Sequence, residues 1–199
     1  MVRSGSRCKK SQKIGILGGA FDPVHFAHLL LAEHALTDFD LDKIILLPYN
    51  ISVWKERPQA SAKNRLDMLR LATIDNSRIE VSDVEIKREG ISYSYETLKY
   101  LKNKNPEDRL YFLIGSDAFS RLESWKNYRS LIKMVSFIVA VRPKTKVKKI
   151  KNVEPYKILI PQIEISSSYL RDRVQRGLSL RYFLPDKVRD YIINFGLYR

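Results

Sequence analysis

The sequence predicts a single α/β domain built on a parallel sheet of five to six strands with helices on both faces. Three observations support this. Short β-rich runs alternate with runs of helical period along the whole chain, the pattern of strand–helix–strand units. Several strand runs, such as "KIILLP" (43 to 48) and "VSFIVAV" (135 to 141), are continuously apolar, as strands covered on both faces are. A length of 199 residues and a hydrophobic fraction of 44% also suit one domain with a substantial core.

Six strands are expected, at 13 to 17, 43 to 48, 79 to 86, 109 to 115, 135 to 141 and 156 to 160. Helices are expected at about 24 to 37, 61 to 75, 94 to 103, 124 to 133, 167 to 176 and 185 to 195. Capping residues agree with these spans. Ser61 precedes a helical run whose apolar positions are Leu66, Leu69 and Ala72, Ser94 opens another, and Pro185 stands where a first-turn proline is tolerated. The domain is expected over residues 13–199, preceded by a basic tail over residues 1–12, with one linker-like lysine-rich stretch at 142 to 153.

Composition narrows the function classes. Lys and Arg outnumber Asp and Glu by 36 to 22, a formal charge of +14, which makes anionic partners the expected ones. The cluster of Arg142, Lys144, Lys146, Lys148, Lys149 and Lys151 reads as a solvated loop, because no aromatic residues are interleaved to stack on bases. Nucleic acid is therefore not the expected partner. No apolar run is long enough to cross a bilayer and the N-terminus lacks an apolar signal core, so a cytoplasmic location is expected. The single cysteine, Cys8, has no partner for a disulfide within the chain.

All three histidines lie in "GILGGAFDPVHFAHLLLAEH" (15 to 34). A strand ending in Gly18 and Gly19 lets a ligand approach the backbone, and the helix that starts near Pro23 turns its N–H groups and its positive dipole end toward an anion. His25 and His28, three apart, share one face of the first turn and can donate to phosphate oxygens. A zinc site using Asp22 is the rival reading, weakened by the lack of a third histidine on that face and of a cysteine. His34, beside Glu33, reads as a surface residue. A further anion-binding helix start is signalled by "SSS" (166 to 168) before a helical run, which serves as cap and phosphate donor with the same geometry.

"GGAFDPVHFAH" resembles the GGxFDPxHxGH signature of HxGH nucleotidylyltransferases, with Ala27 at the usual glycine. From Lys13 to Arg199 the chain is similar to the bacterial nicotinate-nucleotide adenylyltransferase family. The similarity is carried by "RLDMLRLA" (65 to 72), "EIKREGISYSYETL" (85 to 98), "IGSDAFSRLESW" (114 to 125), "ISSSYLRDR" (165 to 173) and the closing "GLYR". The resemblance implies a Rossmann-like fold and transfer of AMP from ATP to nicotinate mononucleotide, with Mg²⁺ carried on the ATP phosphates and no metal held by the protein.

By the same resemblance, His25, His28 and Arg171 act on the phosphates. Gly18, Gly19, Phe21, Gly115, Asp117, Ser166 and Ser168 join Arg171 in holding ATP. Tyr49, Asn50, Lys55, Tyr93, Ser94 and Trp125 receive nicotinate mononucleotide, with Trp125 stacking on the pyridine ring. On residue chemistry alone, Trp125 is equally a core anchor. The loop "PYNISVWK" (48 to 55) departs from the family's PNxxPPHK: Tyr49 stands at the asparagine, Ser52 and Val53 at the prolines and Trp54 at the histidine, while Pro48 and Lys55 keep the pattern. Ile91 also replaces the usual proline. The competing expectations are nicotinamide mononucleotide or pantetheine phosphate as second substrate, and, from another class, a basic nucleic-acid-binding module.

Overall fold

The computed structural model describes residues 11–54, 56–141, 147–161 and 163–199. Six strands form one sheet: β1 (Lys13–Gly19), β2 (Lys43–Pro48), β3 (Ile79–Val81), β4 (Arg109–Gly115), β5 (Val135–Ala140) and β6 (Tyr156–Ile158). Their order is β3-β2-β1-β4-β5-β6, and every neighbouring pair is parallel. Around the sheet lie α1 (Phe26–Asp38), α2 (Ala62–Thr73), α3 (Val84–Arg88), α4 (Ser94–Lys104), α5 (Ser116–Phe119), α6 (Tyr128–Met134), α7 (Ser167–Gln175) and α8 (Asp186–Asn194).

Period-two alternation along the strands divides the core into two layers. Leu17, Ile44, Leu46, Leu113 and Ile138 face one way, packing with Ala32, Met68, Leu170 and Val188 of α1, α2, α7 and α8. Ile16, Ile45, Phe112, Phe137 and Val139 face the other way, packing with Leu98 of α4 and Leu131 of α6. Helices thus cover both faces, as the sequence predicts.

Several predicted elements differ; the strand expected over 156 to 160 ends at Ile158, and the one expected over 13 to 17 runs on to Gly19. The expected strand over 79 to 86 ends at Val81, and α3 follows from Val84. The strand lies at the sheet's margin and pairs only with Ile44–Leu46 of β2; after the bond from Ser82 N–H to Leu46 O (3.0 Å) the chain turns away. The helix expected from 124 is two pieces, a 3₁₀ turn at Leu122–Ser124 and then α6, separated by Asn127 in the left-handed region (φ 53°). Finally, α1 begins at Phe26, with His25 in the cap position, rather than near Pro23.

Of the expected tail, residues 1–10 lie outside the described residues, while Gln12 N–H bonds Asp108 Oδ1 at 3.0 Å and so joins the sheet's lower edge. Residues 142–146 of the lysine-rich stretch are likewise outside them; within the remainder, Ile150 is buried and Lys148 pairs with Glu123 at 2.7 Å. Among the described residues no helix is long and apolar enough to cross a membrane.

Candidate active site

In an open parallel sheet, ligands bind beyond the strands' carboxyl ends where the order of connection reverses, here between β1 and β4. Both strands end there in glycine, Gly19 and Gly115. After β1 the chain runs through a tight turn, Ala20 to Val24, into α1. Phe21 takes a positive φ of 50° in this turn, and its ring is only 1% exposed. A Cβ on Gly19 would lie 3.0 Å from that ring, so the glycine admits the phenyl group beneath the turn.

Asp22 organises the turn. Its buried carboxylate accepts from Gln59 N–H (2.7 Å), Ala60 N–H (3.0 Å) and the Tyr198 hydroxyl (2.8 Å). Its carbonyl accepts from Arg171 Nη1 at 2.8 Å, and its Oδ2 lies 3.8 Å from the same nitrogen. Next to it, Pro23 O accepts from Ser167 Oγ at 2.9 Å. These bonds bring α7 against the turn and hold Arg171 at Asp22, three residues before His25. Arg65, 2% exposed, fastens the base by donating from Nη1 to Ala20 O (2.9 Å) and Tyr49 O (2.8 Å), the ends of β1 and β2.

The rings of His25 and His28 stack with centroids 3.8 Å apart and planes 27° from parallel. Burial pushes His25 down to about 4, so it is neutral near pH 7. The half-buried His28 presents Nδ1 to the His25 N–H at 3.4 Å, which leaves Nε2 as its donor atom, and its ring meets Phe21 edge-on at 5.0 Å. His34 is apart from this pair, 3.7 Å from Asp38. The Asp22 carboxylate already accepts from three N–H and O–H donors and has Arg171 beside it, and the described residues contain no cluster of three or more metal-ligating groups.

At the start of α7, Ser166 accepts from Tyr169 N–H (3.2 Å) and its hydroxyl lies 3.0 Å from that of the exposed Ser168. Ser166 therefore caps α7 as expected, with the Ser168 hydroxyl beside it. Asp117 lies exposed in the first turn of α5, just after β4.

On the other side of the glycine edge is a cavity of about 570 Å³. Of the predicted residues, Gly18, Gly19, Tyr49, Tyr93, Ser94, Gly115 and Trp125 line it. Trp125 is half-buried and meets Phe112 edge-on at 6.1 Å, so it serves as anchor and as wall together. The expected residues thus fall into two groups, one around the turn and α7, one around this cavity. Phe21 belongs to the core instead, and Asn50 is used to hold the loop, its amide donating to Gly90 O at 3.2 Å and its N–H to Ser92 Oγ at 3.0 Å. Lys55 lies outside the described residues.

Further lining residues carry chemistry that the sequence reading did not assign: Trp54, Glu85, Arg121 and Lys126. Lys126 sits 4.3 Å over the Tyr93 ring and pairs with Glu96 at 3.0 Å. Glu85 accepts from Thr97 Oγ1 at 2.7 Å, and burial raises its pKa. Trp54 stands in the loop where the sequence departs from the family pattern; for Glu85, Arg121 and Lys126 only the charge of "EIKREG" and "SRLESWK" could have pointed to them, and charge alone does not say which face a residue takes.

Comparisons with known proteins agree with this geometry. The sequence profile described as Cytidylyltransferase-like matches residues 16–173. A protein of Dictyoglomus thermophilum named "Probable nicotinate-nucleotide adenylyltransferase" is 41% identical, covering 94% of this chain and 99% of its own. One of the same name from Opitutus terrae is 42% identical, over 94% of this chain and 98% of its own. Among solved structures, the Plasmodium falciparum nicotinic acid mononucleotide adenylyltransferase complexed with NaAD superposes with a TM-score of 0.79 at 25% identity, covering 94% of this chain and 97% of its own. The chain belongs to the cytidylyltransferase-like family, and within it to the nicotinate-nucleotide adenylyltransferases.

Proposed function

We propose that this protein transfers AMP from ATP to nicotinate mononucleotide in the cytoplasm, forming deamido-NAD and pyrophosphate. The observation that carries this reading is the pairing, across one glycine edge, of a phosphate-directed group (His25, His28, Arg171, the start of α7) with an aromatic cavity holding Tyr93 and Trp125. The similar proteins named above bear the same activity in their names.

In the reaction a phosphate oxygen of the mononucleotide attacks the α-phosphorus of ATP. The new O–P bond forms as the bond to the β-phosphate bridge breaks, and pyrophosphate leaves with the electron pair. A phosphate nucleophile is largely ionised near neutral pH, so no general base is required. The protein's task is positioning and charge neutralisation. His28 donates from Nε2, the Arg171 guanidinium faces the triphosphate, and Ser166 and Ser168 offer hydroxyls at the positive end of α7. Gly18, Gly19 and Gly115 admit the nucleotide to the strand ends, where Asp117 accepts from ribose hydroxyls. Mg²⁺ bound to the ATP phosphates as part of the co-substrate would screen the negative charge that these residues also face.

For the second substrate, α4 starts on the cavity wall at Ser94 and Tyr95, whose N–H groups precede the helix's first backbone bonds, from Glu96 and Thr97 N–H to Tyr93 O. Donors without matched acceptors favour a carboxylate over an amide. Arg121 and Lys126 add positive charge on the same wall. The experiment is pyrophosphate release from Mg–ATP with nicotinate mononucleotide and nicotinamide mononucleotide side by side. A kcat/KM strongly favouring the acid is expected. Equal use or preference for the amide overturns the substrate assignment, and no release with either overturns the reaction.

A further inference from the structure

The chain has two tryptophans, and both line the same cavity. They are set differently. Trp125 packs its edge against Phe112, as a residue of the scaffold does. Trp54 is 56% exposed and the neighbouring Val53 is 46% exposed, and both line the cavity, so an apolar rim remains without a cover at its wall. An indole has a large apolar face whose electron density favours an electron-poor or cationic ring. The pyridinium of a mononucleotide is such a ring.

The loop that carries Trp54 is anchored to the substrate side. Tyr49 N–H bonds Gly19 O at 3.1 Å, and Tyr49 O accepts from the buried Arg65. Ile51 pairs with Ile91, and Ser92 N–H donates to Ile51 O at 2.9 Å, directly before the start of α4. Trp54 N–H then donates to Ser52 Oγ at 3.1 Å. The stem of the loop and the helix start that faces the substrate are therefore one bonded unit, with the indole three residues beyond the Ile51 anchor. This is the loop in which the sequence departs from PNxxPPHK, with tryptophan at the position of histidine.

We propose that Trp54 is a substrate-contacting specificity residue, a second aromatic wall that stacks on the pyridine ring alongside Trp125. This rests on the reading of the cavity as the nicotinate mononucleotide subsite. In this chain an aromatic face replaces the polar side chain the family pattern places there, so the ring is held by stacking on two indoles, and the ATP side of the glycine edge is untouched by the change.

The test begins with the wild-type enzyme, whose pyrophosphate release with nicotinate mononucleotide checks the underlying reading independently of Trp54. Trp54→Ala is then expected to raise KM for the mononucleotide about tenfold, with kcat and KM for ATP within about twofold, and Trp54→Phe to recover most of the loss. In Trp125→Phe, Trp54 is the one remaining tryptophan, and its emission is expected to be quenched on titration with nicotinate mononucleotide to saturation. An active wild-type enzyme whose Trp54→Ala variant keeps its mononucleotide KM within about twofold overturns the proposal alone, as does unchanged Trp54 emission at saturation. An inactive wild-type enzyme overturns the substrate reading first.

Discussion

The hydroxyl of Tyr198 donates to the carboxylate of Asp22 over 2.8 Å, joining positions 176 residues apart in the chain. Tyr198 is buried and holds a left-handed backbone (φ 68°) to reach it, while burial and the neighbouring carboxylate raise the phenol's pKa far above its ordinary value. It remains a neutral donor at any working pH. Tyr198→Phe keeps the ring and removes one donor of the three on that carboxylate, so it is expected to cost about 1 kcal/mol of stability. Urea unfolding of the two proteins measures this; an unchanged midpoint would mean that the bond contributes nothing net.

His25 makes stability depend on pH. Its folded pKa of about 4 lies below the value of 6.5 that the unfolded chain keeps. Between those values the unfolded chain binds a proton that the folded one excludes, so stability is complete above the unfolded value and falls as the pH drops toward the folded one. For so buried a ring the loss is on the order of 3 kcal/mol. Urea midpoints at about pH 7 and about pH 4.5 should differ less in His25→Gln than in the wild type, and an equal difference would place the pH dependence elsewhere.

Two glycines at the edge should answer differently to alanine. At Gly19 the new methyl would press on Phe21, whose ring supports His28, so both stability and turnover are expected to fall. At Gly115 nothing lies within 4 Å, and the fold should tolerate the change within about 0.5 kcal/mol. A Gly115→Ala protein of normal stability with a raised KM for ATP would support close approach of the nucleotide; an unchanged KM would remove Gly115 from the ATP site.

Arg65 is buried, and its Nη1 donates to two carbonyls, Ala20 O and Tyr49 O. Arg65→Met fills much of the same space and leaves those acceptors without their donor, at an expected cost of about 3 kcal/mol. Thermal unfolding checks the cost. A melting temperature within about 2 °C of the wild type would show that other donors replace the guanidinium.

Much of this was legible in the sequence because the signals are local. β2 and β4 stand at their expected bounds, since each is a short apolar run covered on both faces. Gly18, Gly19, His25, His28 and the serines before α7 follow one another closely enough to read as strand end, turn and helix start. The 79 to 86 stretch misled because Ile79 and Val81 continue in spacing that resembles a strand, yet β2 offers partners only to the first three residues. Val84 then packs from a helix. Glu85, Arg121 and Lys126 gave no local sign of reaching the cavity, because α3 after β3 and the 3₁₀ piece after β4 bring them there, whereas Trp54 was marked only by its place in the departing loop after β2.

The glycine edge separates two layers of the molecule. His25, Arg171 and α7 belong to the side of the sheet that packs Leu170 and Val24, while the aromatic cavity lies over the side that packs Leu98 and Phe112. On the proposed function, a molecule that reaches both groups of residues at once has to pass over the bare carboxyl edge at Gly18 and Gly115, where no side chain of the glycines stands in its way.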